Sequence, residues 1–465
     1  MTPRQPASPP LSRSRGDGRP AAPVRILHLG LGNFFRAHQA WYTEHAGDAD
    51  AWGIAAFCGR SADLAERLTA QDGLYTLVTR GPDGDRHDVV SALTRTHAGG
   101  DHAAWLAYWA DPALAVVTLT VTEAGYTRRP DGGLDSDRAE VAADIAALRS
   151  DVTAPVGTAA ARILAGLAAR ARAGGGPVAV VPCDNLKGNG QALARVVADL
   201  AAATGRPDLV AAVGHASWVT TMVDRITPAT EDADLLAVRE ATGTHDAAPV
   251  VTEPFSEWVI AGNFPAGRPR WEDAGARFVP DATPYEERKL WLLNGAHSLL
   301  AYYGPLRGHD SVAQAVADPQ CRRLVLAWWT EASRHLALPA SELRDYQSRL
   351  LTRFANPRLR HALAQIAADG SQKLPVRLVP TLRAERAAGR LPEAAVTVVA
   401  SWLLHLRGHG APVRDGSVDL ALAAGPVPDA ARAVLSLLAP ELARDDELAS
   451  AVADLTKRIA VWAAS

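Results

Sequence analysis

Lys289, Asn294 and His297 are spaced along a helical stretch whose positions between them carry no other polar side chain, Leu290-Trp291-Leu292-Leu293 and Gly295-Ala296. At ~100° per residue they fall at roughly 0°, 140° and 80° around a helix. Polar groups on an apolar helix need partners or a cleft. A lysine placed there loses solvation, which moves its pKa down towards the range of a general base. An asparagine N–H₂ and an imidazole beside it can hydrogen-bond an alkoxide or carbonyl oxygen. The chemistry is proton removal from a hydroxyl with stabilisation of the oxyanion. Singly, each residue reads as well as a rim lysine or a satisfied core side chain; the set of three favours a site.

A second group sits near the start of the chain. Gly30-Leu31-Gly32-Asn33-Phe34-Phe35 follows an apolar strand and opens a helix. Small residues there admit a pyrophosphate to the backbone, and the helix start offers free N–H groups. Phe35 stands where a third glycine is usual, so the motif alone is weak; its place in a βαβ unit strengthens it. The acid expected after the second strand is Asp63, which would read a ribose 2′-hydroxyl and favour NAD. Arg60 and Ser61 could hold a 2′-phosphate and leave NADP open. A solvated turn explains these residues equally well. Tyr285-x3-Lys289 also matches the Tyr-Lys pair of short-chain dehydrogenases, but it lies over 250 residues after the glycine loop, against ~120–150 in that class, and is set aside.

These residues need elements to hold them. Strands are expected at Val24–Leu29, Trp52–Phe57, Ala115–Val121 and Val178–Pro182, with a hairpin from Leu74–Val78 and Val89–Thr96 around the Gly-Pro-Asp-Gly turn at 81–84. Helices are expected at Phe34–Ala46, 137–149, 156–173 and 190–203. From about residue 285 helical apolar spacing dominates, over 284–303, 320–336, 340–353, 358–368, 393–406 and 445–463. The fold class is α/β: a Rossmann-type domain over 23–283, then a predominantly α-helical substrate domain over 284–465. Residues 1–22, rich in Pro, Arg, Ser and Gly, predict a disordered tail. They lack the apolar run of a signal peptide.

Composition narrows the function. Of 465 residues 48% are hydrophobic and 21% charged, the balance of a globular protein. A net charge of -3 implies no basic face, so neither nucleic acid nor an anionic membrane is an expected partner. Cys58, Cys183 and Cys321 lie far apart, and no Cys/His ligand spacing suggests a metal. A reduced, cytoplasmic setting is expected.

The chain resembles the polyol-specific long-chain dehydrogenase family, which includes mannitol 2-dehydrogenase and the hexuronate reductases. The matching stretches are His28–His38, Ala70–Leu77, Thr118–Tyr126, Cys183-Asp184-Asn185, Met222–Pro228, Lys289-x4-Asn294-x2-His297 and Asp369–Pro375. The resemblance implies Lys289 as general base and Asn185 with Asn294 as oxyanion hole. It implies that His297 orients substrate, Asp224 lies near it, and Glu286 gates proton exchange. Lys373 stands where some polyol oxidisers have arginine, and Ala124 where Lys or Gly is usual. The implied reaction is metal-independent hydride transfer between NAD(P) and a polyol or keto sugar, foremost mannitol and fructose. A hexuronate reductase is the alternative, its carboxylate suited by Lys373 or Arg36. A redox sensor that binds NAD(P) without turnover is the reading from another class. The family implies a monomer or small homo-oligomer.

Overall fold

The computed structural model describes residues 8–59, 61–359 and 361–463. Its chain divides into two compact units that part after Thr283.

The first unit is built on parallel strands. Its strands are β1 (Val24–Leu29), β2 (Gly53–Phe57), β3 (Tyr75–Gly81), β4 (Gly84–Val90), β5 (Leu93–His97), β6 (Val116–Leu119), β7 (Val178–Pro182) and β8 (Ala216–Trp218). Then come β9 (Thr220–Asp224), β10 (Val250–Thr252), β11 (Glu257–Ala261) and β12 (Arg277–Phe278). Six of them form one parallel sheet in the order β5-β2-β1-β6-β7-β8. β2 and β7 are buried at every position, as a sheet covered on both faces requires. One apolar cluster gathers Leu27, Phe57, Val117 and the Ala159–Arg172 helix; the other gathers Ile26, Ile54, Val116 and Trp258. Strand order reverses on either side of β1, so β1 and β6 flank a topological switch point, where such sheets bind ligands. β3 and β4 pair as the expected hairpin, joined by β10; β5 leaves it for the main sheet.

Two expectations need correction here. The helix after the glycine loop is not continuous: Asn33–Ala37 and Gln39–Glu44 meet at His38, whose φ of -119° and ψ of -84° break the turn. Nor are residues 8–22 a disordered tail; residues 1–7 lie outside the described ones. Leu11 is 1% exposed, and His245 N–H donates to the Pro9 carbonyl at 2.8 Å. Arg13 donates to the carbonyls of Ser91 (2.7 Å) and Leu93 (3.0 Å), and Arg19 pairs with Glu44 at 2.8 Å. A polar segment with no core of its own is held by guanidinium donors on strand-end carbonyls, a kind of order that composition does not report.

The second unit is helical. Its longest helices are Pro319–Ser333, Ala340–Phe354, Glu393–Leu406 and Asp446–Ala463. The expected helix over 358–368 shortens to Leu363–Ile366. The stretch from Thr283 to Leu306 runs as α-helix, π-helix and α-helix, the π segment spanning Lys289–Asn294. Among the described residues no helix is long and apolar enough to cross a membrane.

Candidate active site

The glycine loop lies at the end of β1. Gly30 has φ of 109°, and a Cβ there would strike the main chain of Thr120 beyond β6, so only glycine fits. Gly32 differs. Among the described residues its Cβ would meet only the Gly30 carbonyl, at 3.6 Å, so their packing does not demand glycine there. The space beside Gly32 at a switch point fits close approach by a dinucleotide pyrophosphate. Asn33 begins the helix, donating to the Pro228 carbonyl at 3.3 Å and accepting from Arg36 at 2.6 Å. Phe34 is half-buried and stacks on His38 at 5.0 Å. Asp63 is exposed on the first turn of the Asp63–Thr69 helix, where an acid is favoured whether or not it reads a ribose. Arg60 lies outside the described residues.

Arg36 is not available to a substrate anion. It is 2% exposed and donates to the carbonyls of Gly32 and Ala248 and to Asn33. Burial lowers its pKa to about 10, so the guanidinium stays charged and bound internally. It braces the glycine loop instead.

Asn185 is exposed on the loop between β7 and the Asn189–Thr204 helix. A polar residue just past a strand end commonly makes an Asx turn. Asp184 makes that turn: its carboxylate accepts from the Leu186 N–H at 3.0 Å. The Tyr126 hydroxyl holds the other carboxylate oxygen. Burial raises Asp184 to about 6, and burial with the carboxylate's charge raises the Tyr126 phenol, so tyrosine is the donor. Asn189, wholly buried, closes the loop's far end by donating to the carbonyls of Pro182 (3.2 Å) and Thr221 (3.1 Å). Sequence reading missed Tyr126, Asp184 and Asn189, although all three lie in or beside matched motifs. Asp224 ends β9 and is buried. Its neighbour Arg225 donates to the carbonyls of Ala37 and Glu253.

In the second unit the π segment changes the expected wheel. Gly295 N–H bonds the Leu290 carbonyl five residues back, which widens the turn. At ~80° per residue, Lys289 and Asn294 come to roughly 40° apart in place of ~140°. Burial agrees: Lys289, Leu290 and Asn294 are half-buried, whereas Trp291, Leu292, Leu293 and everything from Gly295 to Ala301 are buried. Base and carboxamide candidates therefore share one accessible strip. Glu286 is half-buried one turn earlier. His297 is buried against Phe354 and His361, with ring centroids at 4.9 and 4.7 Å. Its Nε2 is buried with no hydrogen-bond partner among the described residues. Burial holds its pKa well below 6.5, helped by His361, Arg353 and Arg377, so the ring is neutral. Arg377 donates to Ser298 at 3.3 Å and was not foreseen. Lys373, expected to meet substrate, donates to the carbonyls of Ile366 (3.3 Å) and Ala368 (2.6 Å) and braces the turn into its own helix. Burial lowers its pKa.

His309, Asp318 and Cys321 bring ligand atoms within 4.8 Å of one another, a grouping the sequence reading did not anticipate. Arg307 occupies the same Asp318 oxygen as His309, at 2.6 Å, and Asp318 also caps the Pro319–Ser333 helix. Burial pushes the Cys321 thiol up to about 12. A cation on the carboxylate and a protonated thiol suit a helix cap better than a metal centre.

The parallel sheet with its glycine loop at the switch point is of the dinucleotide-binding type, and the chain's relatives make it an oxidoreductase acting on CH–OH groups. The chain belongs to the mannitol dehydrogenase family: residues 24–273 match its Rossmann domain and residues 281–459 its C-terminal domain. D-arabinitol 4-dehydrogenase of Ralstonia nicotianae is 36% identical over 464 residues, 96% of this chain and 98% of that one. D-mannonate oxidoreductase of Escherichia coli is 37% identical over 396 residues, 83% and 80% of the two chains. The structure of Pseudomonas fluorescens mannitol 2-dehydrogenase, a ternary complex with NAD and D-mannitol, is 32% identical. It superposes with a TM-score of 0.77 over 94% of this chain and 95% of that one.

Proposed function

We propose that the protein is an NAD-dependent, metal-independent dehydrogenase that interconverts a polyol and its ketose, foremost mannitol and fructose. The observation that carries this reading is the widened turn, which sets Lys289 and Asn294 on one accessible strip. The family match and the NAD complex of the mannitol relative support it. Gly30, Gly32, Asn33 and Phe34 would hold the dinucleotide, and Asp63 its ribose. NAD supplies the hydride acceptor when bound. Neutral Lys289 takes the proton of the substrate hydroxyl. Asn294 and Asn185 donate N–H groups to the developing oxyanion. His297, kept neutral by burial, orients substrate through hydrogen bonding. Asp224 lies on the substrate's side of the reaction, and Glu286 passes the proton from Lys289 to solvent.

One observation favours a second reading, a sugar acid as substrate. Arg353 and Arg377 both act on His297 with positive charge, while burial keeps the His361 ring below its ordinary pKa and neutral. Such a field would attract a carboxylate. Absorbance at the nicotinamide band tests both: mannitol and arabinitol are offered with NAD, then mannonate with NAD and fructuronate with NADH. Turnover of the neutral polyols supports the first reading and turnover of the acids alone supports the second. Cofactor binding without turnover of any substrate would point to a sensor and overturn both.

A further inference from the structure

Two consecutive tryptophans on the Pro319–Ser333 helix reach the π segment. Trp328 Nε1–H donates to the Trp291 carbonyl at 2.8 Å, and Trp329 Nε1–H donates to the Leu292 carbonyl at 2.8 Å. Both indoles are fully buried. These carbonyls are not arbitrary. In a regular α-helix the Gly295 N–H would bond Trp291, four residues back. Here it bonds Leu290 instead. The carbonyl that the backbone bond has moved away from is the one Trp328 serves, and Trp329 serves the next. Kinks and widened turns persist where side chains insert into the ladder.

Gly295 makes the arrangement possible. A Cβ there would lie 2.6 Å from Trp328 Nε1 and 2.7 Å from its Cζ2. No other residue lets the indole come so near the helix axis. We propose that Trp328 and Trp329 are positioning residues for the reaction: their indole N–H groups hold the turn open, so that Asn294 stays beside Lys289. Without them the ladder can close to α spacing, which swings Asn294 away by roughly a quarter turn. The inference rests on the assignment of Lys289 and Asn294 as base and oxyanion donor.

The test uses the full-length protein and whichever substrate it turns over best. Trp328→Phe and Trp329→Phe keep the ring and lose the donor; Trp271→Phe, which removes a buried indole bond to Thr43 in the first unit, is the control. Each π-segment variant should fold cooperatively, keep its KM for NAD, and lose roughly 10-fold or more in kcat, since small displacements of reacting groups are expensive. The pH profile of kcat should shift in both and stay put in the control. In an Asn294→Ala background, Trp328→Phe should cost nothing further. Wild-type kcat and pH profile in Trp328→Phe, or an undiminished loss in the Asn294→Ala background, overturns the inference while leaving the base assignment intact. Wild-type kcat in Asn294→Ala itself removes the oxyanion reading and this inference with it. If Trp328→Phe does not fold, Trp329→Phe carries the same expectations.

Discussion

The Tyr126 hydroxyl donates to the carboxylate of Asp184, the residue immediately before Asn185. Tyr126 closes a short 3₁₀ turn after β6, and Asp184 opens the loop after β7. The contact therefore ties neighbouring strand ends together beside the proposed oxyanion donor. Tyr126→Phe should lower kcat by roughly 10-fold and leave the KM for NAD within about 2-fold. Because Asp184 titrates near 6, the carboxylate accepts this bond above that pH. The loss should be greatest above pH 6 and shrink below it. A Tyr126→Phe enzyme with an unaltered pH–kcat curve would mean that the loop is held without the phenol.

The segment over residues 8–22 contributes to stability. Deleting residues 1–22 removes the buried Leu11, worth about 1.5–3 kcal/mol, and the Arg13 bonds to Ser91 and Leu93. The thermal midpoint should fall by at least ~3 °C. Arg13→Ala should reproduce part of the fall. A deletion that melts with the full chain would show that these contacts contribute nothing.

What the sequence made legible followed from periodicity and spacing. β7 and the helix Glu393–Leu406 have the bounds their patterns predict. Lys289, Asn294 and His297 were found because polar residues interrupt an apolar helix. Their angular relation was not legible, since the π turn depends on Gly295 meeting Trp328, 33 positions later in the chain. Arg36 and Lys373 show the converse. A basic residue in a matched motif looks like an anion ligand, but main-chain carbonyls far or near in sequence take its donors. Such pairings leave no local signature.

Acid should destabilise the first unit through His28. This ring is fully buried in β1, and burial pushes its pKa down to about 3, while its Nδ1 lies 2.8 Å from Thr118 Oγ1. The unfolded chain takes up a proton near ~6.5. The folded pKa is depressed, so His28 favours the folded state above ~6.5 and that advantage is lost as pH falls towards 3. At pH 5 the loss is about 2 kcal/mol, from ~1.5 units at ~1.36 kcal/mol each. Urea titrations at pH 7 and pH 5 measure it, and His28→Gln should flatten the difference. Equal pH sensitivity in wild type and His28→Gln would assign the effect to other groups.

Activity should survive chelation. Asp318 is held below the usual carboxylate range: burial raises it, but bonds from His309 and Arg307 outweigh burial. With Arg307 in place, His309, Asp318 and Cys321 make a poor cation site. Dialysis against EDTA should leave kcat within experimental error. Loss of turnover restored by zinc alone would refute the metal-independent mechanism.

The mechanism stands or falls on Lys289. It begins the π segment, shares its accessible strip with Asn294, and follows Glu286 by one turn. General base catalysis typically contributes ~10²–10⁴-fold in rate, about 3–5 kcal/mol of barrier. Lys289→Ala should therefore lower polyol oxidation by at least ~10²-fold. The KM for NAD should stay close to wild type, because the glycine loop at Gly30 and Gly32 belongs to the first unit. In the wild type, oxidation should accelerate as pH rises and the ammonium loses its proton, a limb absent from Lys289→Ala. His297 adds no limb near neutrality, since burial keeps its ring neutral there. A small primary amine added to the mutant should restore part of the rate by entering the vacated space. A deuterium isotope effect on the transferred hydrogen establishes that chemistry limits the rate. With that established, a Lys289→Ala enzyme retaining more than about a tenth of wild-type kcat would place the base elsewhere.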